Sequence, residues 1–269
     1  MNSLKLWIKA VISHHNDLGE LAFPLIYICE GMLELYPVAK YFPLFIQIIS
    51  ELNNVSRVLG IYISSTKTML FTLLSSKEFT NKKSNKKPKA FDFDINIKVS
   101  KEYSQTNTYW NSAFNEILDL LIDFLAIHSK KIFFPEITNF IVLNLKKLQK
   151  KFTFNFYKMK IKLLLQKTQE DKEKVFEKRN DFNKAVTKKK ECLDFESLQE
   201  KSSLEQECEK ILKEKENLRK QKILAEKEEK EESIHSEENE QEEVDYGQKN
   251  INEENLEKPL SEEEDLDLE

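Results

Sequence analysis

The 269-residue chain is poor in the residues that make tight turns, with only 4 Gly and 6 Pro. Hairpin turns and phosphate-cradling loops depend on glycine, so this scarcity argues against an all-β sandwich and against a doubly wound dinucleotide fold. Cysteine is equally sparse. Cys29, Cys192 and Cys208 are odd in number and form no C-x-x-C pair, which excludes a disulfide framework and a zinc knuckle and makes a reducing compartment the expectation. Of the four histidines, His14 and His15 are adjacent and point to different sides of a helix, while His128 and His235 stand alone. No G-x-S-x-G, H-E-x-x-H, Walker A or dinucleotide fingerprint occurs, and Asp92 with Asp94 reads as the solvated side of an extended segment. The charge-free apolar runs at 21–29 and 41–50 are about half the roughly 18–20 residues of a spanning helix. The start, Met1 to Lys9, lacks the apolar core and cleavage site of a secretory signal. The expectation is a soluble protein that is not an enzyme, with no cofactor and no membrane partner.

What the chain does have is charge, at 33%, beside enough apolar residues, at 40%, to bury a core. The net charge of −5 is unevenly distributed: residues 1–168 carry +10 and the remainder −15. A basic body with an acidic tail suits work near polyanions or basic partners.

Helical periodicity dominates the body. Leu4, Trp7, Ile8, Val11 and Ile12 form one stripe behind Ser3 as a cap. A second apolar helix covers about 21–35 with Pro24 in its first turn, and a third runs to Leu59 with Gly60 placed to end it. A short helix is expected at 66–74. Phe114, Ile117, Leu118, Leu121, Ile122 and Leu125 make the clearest helical face, with His128 at its C-terminal end reading as a packing or capping residue. Phe134-Pro135-Glu136 opens the next helix, and another spans about 154–179. Between them, 77–90 reads as an exposed basic loop holding Lys82, Lys83, Lys86, Lys87 and Lys89. The alternating run Phe91 to Val99 reads as an extended segment lying across the helices.

The expected architecture is therefore all-α, a HEAT/armadillo-like solenoid of antiparallel helices over residues 1–182. A charged helix is expected at 183–225, where Leu204, Cys208, Ile211, Lys215 and Leu218 keep a 4-3-4-3 spacing that Lys215 interrupts, so a single helix is favoured over a coiled coil. From residue 226 onward 20 acidic residues face 4 basic ones, the signature of a disordered acidic tail. Lys146, Lys147, Lys150 and Lys151 fall at i, i+1, i+4 and i+5, a basic row opposite the apolar stripe. Together with the loop lysines they are candidate contacts for RNA or a protein partner, through counterion release in the case of RNA. An ordinary solvated face explains the row as well.

Several ordered landmarks resemble the nucleolar complex protein 2 family. They are Ala39-Lys40-Tyr41-Phe42-Pro43-Leu44 with Leu52, Ser56 and Gly60; Phe91-Asp92-Phe93 with Lys98-Val99-Ser100-Lys101 and Tyr103; Ala126-Ile127-His128-Ser129; Phe134-Pro135-Glu136; Leu145-Lys146-Lys147; Leu163-Leu164-Leu165-Gln166-Lys167; and Arg179 with Phe182. Phe45, Ser64, Asn107 and Asn139 depart from the pattern. The resemblance covers about 1–182 and starts part-way into the family's helical core, so the first helix is expected to expose an apolar face. It implies a nucleolar scaffold of early large (60S) ribosomal subunit biogenesis, partnered by nucleolar complex proteins 1 and 3 on precursor particles, with ribosomal RNA nearby and no catalytic residues. Tyr41, Phe42, Pro43, Leu44, His128, Ser129, Phe134, Pro135, Glu136 and Arg179 are expected to be structural. The competing expectation is a general helical-repeat adaptor such as a nuclear transport factor.

Overall fold

The computed structural model describes residues 2–35, 38–81, 83–85, 91–182, 189–221, 223 and 224. Two compact units are present, Met1–Ile211 and Leu212–Glu269. In the first, helices α1 (Asn2–Ser13), α2 (His15–Leu18), α3 (Ala22–Leu35), α4 (Phe42–Leu59), α5 (Ser64–Leu74), α6 (Lys101–Ser104), α7 (Asn107–His128), α8 (Phe134–Lys151), α9 (Asn155–Asp181) and α10 (Lys189–Ser197) follow one another. A further helix, α11, begins at residue 203. Described residues of the second unit, 212–221, 223 and 224, are helical. No strand occurs among the described residues, only an isolated bridge between Ser84 and Thr106, so the chain is all-α as its composition predicts.

Local chemistry sets the helix ends. Pro43 sits in the first turn of α4, where its missing N–H costs nothing, and Gly60 ends α4 in the left-handed region at φ 66°. Thr106 caps α7, its Oγ1 accepting from the Tyr109 N–H, and Pro135 occupies the first turn of α8.

Cross-helix contacts fix the directions. Phe42 meets Trp110 at the starts of α4 and α7, and Ser56 meets His128 at their ends, so these two helices are parallel. Lys151 at the end of α8 donates to the carbonyl of Ser75 at the end of α5, and Arg179 at the end of α9 pairs with Glu136 at the start of α8. Running from α4 through α5, α7, α8 and α9, the helices thus alternate in direction around a central α7. Buried residues occur all round α7, from Tyr109 and Trp110 to Leu125 and Ala126.

Three expectations are revised, the first only by an addition. The basic loop is anchored from within: a 3-10 turn, Lys77–Phe79, drives Phe79 into the core, where its ring meets Phe42, Trp110, Phe114, Phe152 and Tyr157. The run Phe91 to Val99 crosses the helices but is not extended. The Asp92 carboxylate accepts from the N–H groups of Asp94 and Ile95 and closes a turn. Gln47, buried in α4, then donates to the carbonyls of Phe93 (2.7 Å) and Asn96 (2.9 Å), while Ile95 and Ile97 face solvent. Alternation here records two aromatic anchors, Phe91 and Phe93, packed on Tyr109.

The third correction concerns the C-terminal part. The segment expected as one charged helix over 183–225 holds α10, a non-helical stretch at 198–202, and α11. The compact body does not end near 182 but includes residues through Ile211. Phe195, Leu204 and Cys208 are buried. The carboxylate of Asp171 in α9 caps α11, accepting from the N–H of Ser203 (3.1 Å), the N–H of Leu204 (2.9 Å) and the Ser203 hydroxyl (3.0 Å). Ser202 and Glu205 add a reciprocal capping box. Lys130, Lys131 and Lys167 pair with Glu205, Glu196 and Glu207 across the same seam. The expected acidic tail, 226–269, lies outside the described residues.

Candidate interaction surfaces

The residues singled out from sequence divide into an interior set and an exterior set. Phe42, Pro43 and Phe134 are buried, Pro135 likewise, and Tyr41 and Leu44 pack against the core. Glu136 and Arg179 join α8 to α9. Ser129 is buried and donates to the Ala126 carbonyl while accepting from Ser202. All of these hold helices together.

His128 packs as a neutral ring. It is 1% exposed and lies against Tyr62, Phe124 and Phe133. Among the described residues its Nδ1 has no partner, and the Ser56 hydroxyl already donates to the Ile61 carbonyl, so the Nε2–H faces the Ser56 oxygen at 3.5 Å. Burial, with the Lys131 ammonium second, lowers its pKa to about 4. It is therefore not a cation at the end of α7.

The buried thiols of Cys29 and Cys208 are held just as inert. Burial raises Cys29 to about 11, helped by Glu30 and Glu51, and raises Cys208 to about 12, helped by Asp123. The Cys208 thiol donates to the Asp123 carboxylate, which also accepts from Asn53 and pairs with Arg57. Among the described residues no group of three or more His, Cys, Asp or Glu could hold a metal ion. No helix among them is long and apolar enough to cross a membrane.

The exterior set presents two surfaces. On α8, Lys146, Lys147, Lys150 and Lys151 are all exposed, with Leu145 and Leu148 turned inward. Lys151 is tied to Ser75, so it closes the end of α5 as well as adding charge. Across the α8–α9 turn, Phe156, Met159 and Leu163 are exposed, and Lys160 lies over the Phe156 ring. Of the loop lysines, Lys83 is the one described. It pairs with Glu78 and covers the Trp110 ring, so it serves the interior more than a ligand. Lys82, Lys86, Lys87 and Lys89 lie outside the described residues.

The second surface was not legible beforehand in its extent. Trp7, expected on the inward stripe of α1, is 54% exposed, because only Ile8 and Val11 are buried. Beside it α3 buries Cys29 and Leu33 but leaves Phe23 (77% exposed), Tyr27 (70%), Ile28 and Leu35 outside. Apolar residues occur all round α3, and Phe23 and Tyr27 share their face with Glu30 and Glu34, so periodicity gives only a weak guide to its inner face. These large exposed apolar side chains on neighbouring helices make a candidate docking surface.

Alternating helices with neutral or paired interior groups, an apolar outer face and a lysine row define an all-α helical body. The chain belongs to the Noc2p family, whose model matches residues 1–213 and so includes the α11 seam. It is 28% identical over 131 residues to a NOC2 family protein of Schizosaccharomyces pombe, covering 49% of this chain and 18% of that relative. It is 27% identical over 172 residues to nucleolar complex protein 2 of Drosophila melanogaster, covering 63% and 22%. Over 181 residues it is 25% identical to nucleolar complex-associated protein 2 of Arabidopsis thaliana, covering 66% and 24%. These matches span between 18% and 24% of the relatives' own lengths.

Proposed function

We propose that this protein is a non-enzymatic scaffold of the nucleus and nucleolus, acting in early large-subunit ribosome biogenesis. It docks other nucleolar complex proteins, homologues of nucleolar complex proteins 1 and 3, on pre-60S particles. The observation that carries this reading is the family match over 1–213, because it covers the whole body that bears both exposed surfaces. The apolar face of α1 and α3 receives a partner helix. Burying Phe23 and Tyr27 there stabilises the complex by about 2 kcal/mol each. The lysine row of α8 adds salt-sensitive attraction to ribosomal RNA beside the partner.

The test is affinity purification of the tagged protein from its own cells, with mass spectrometry and RNA sequencing. Recovery of homologues of nucleolar complex protein 1 or 3 with unprocessed large-subunit RNA is the expected result. Recovery of transport factors, or of neither partner, overturns the reading. The pair Phe23→Glu and Tyr27→Glu is expected to lose the protein partner while the folded body melts as before.

A further inference from the structure

A cleft is lined by Ala39, Lys40, Lys98, Val99, Lys101 and Gln105, with Lys83, Glu78, Ser100 and Ser104 completing its wall. Its construction begins with Gln47, whose amide holds the 91–99 turn against α4. The Val99 N–H then donates to the Lys40 carbonyl at 2.9 Å, stitching the end of that turn to the start of α4. Lys40 is thereby brought to one opening with Lys98 and Lys101, which lie about 60 residues further along the chain. All three are exposed and none forms an ion pair among the described residues. Lys83 is matched by Glu78, so among the described residues the unpaired charge of the cleft is that of the other three lysines.

We propose that this cleft binds the phosphate backbone of RNA without regard to base sequence. Its chemistry disfavours an amphipathic protein helix, since among the described residues the apolar lining is only Ala39 and the buried Val99, too little for the floor that such a helix requires. Among the described residues the lining holds no aromatic side chain, and the neighbouring Tyr41 ring is covered by the Lys40 ammonium at 5.9 Å, so phosphates rather than bases are what the lysines can grip. The site deepens the reading above by giving a ligand to a face that reading leaves unused. Its test does not depend on partner capture, so either can fail alone.

The test uses the full chain and a labelled single-stranded RNA of mixed sequence, about 20 nucleotides long, with anisotropy followed across a salt series. K40E/K98E/K101E is expected to bind about tenfold more weakly at 0.1 M salt and to lower the slope of log K against log salt by about 2. K40Q/K98Q/K101Q, which adds no repulsion, is expected to move the same way by a smaller amount, with the thermal melt of each variant reporting its fold. An unchanged slope in both variants overturns the proposal. So does displacement of the RNA by an acidic peptide of equal charge at equal concentration, which would make the cleft a protein site.

Discussion

The hydroxyl of Ser202 donates to that of Ser129 at 2.9 Å, joining residues 73 positions apart. Ser129 itself is turned inward by its bond to the Ala126 carbonyl, so the end of α7 offers one oxygen, and the start of α11 takes it. That contact, with Asp171 beside it, makes residues 202–211 part of the body.

Removing the cap at Asp171 should release this seam. Asp171→Ala leaves the Ser203 and Leu204 N–H groups without an acceptor and should cost about 2 kcal/mol. Hydrogen exchange is the measurement: amides of 203–211 should lose protection while α4 and α7 keep theirs. Equal loss everywhere would mean the seam is not a separable element.

His128 makes stability depend on pH. Its folded pKa, about 4, lies below the ordinary value near 6.5, so the unfolded chain takes up the proton first. Its contribution is complete above about pH 6.5 and is lost as pH falls through the window down to about 4. Between pH 7.5 and 5.0 the loss should be about 2 kcal/mol. Urea midpoints of the parent and of His128→Phe at both pH values check this, and the substitution should remove most of the difference.

Phe79 should be the costliest single truncation. Five aromatic rings surround it, and nothing nearby can collapse into its place. Phe79→Ala should lower stability by about 3–5 kcal/mol in chemical denaturation. A loss under about 1 kcal/mol would show that the 77–79 turn is not part of the cooperative core.

Reversal of Lys146, Lys147, Lys150 and Lys151 to Glu should weaken association with precursor particles and make it less salt-sensitive. The fold should survive, since the row faces solvent, although loss of the Lys151 bond to Ser75 should cost up to about 1 kcal/mol. Co-sedimentation in a salt series, beside a thermal melt, separates the two effects. Unchanged sedimentation at physiological salt would remove the row from the mechanism.

The helices were legible because their signals are local. Pro43, Gly60 and the stripe from Phe114 to Leu125 each announce a boundary or a face within a few residues. The course of 91–99 was not, because Phe91 and Phe93 alternate as a strand does while Asp92 and Gln47 bend and hold the backbone. Gln47 gives no sign from its neighbours that it reaches 46 residues along the chain. The capping box Ser202-Ser203-Leu204-Glu205 was a readable start for α11, but the short spacing of Leu204 with Cys208, interrupted at Lys215, reads as a single charged helix rather than as one with a packing partner. Its partner is the body itself, through Asp123 and Asp171, carboxylates whose role only tertiary structure reveals. For the surfaces, the lysine row followed from spacing, whereas the outer face of α3 and the Lys40 cleft depend on which neighbours are present.

The placement of α11 also sets an order of events during synthesis. A chain emerges from the ribosome N-terminus first and its parts fold as they appear. Leu204 and Cys208 therefore arrive after every helix they cover, and until they do Asp171 has no amides to cap and Asp123 lacks its thiol donor. The nascent protein spends that interval with an open groove, and the arrival of its own residues 202–211 closes it.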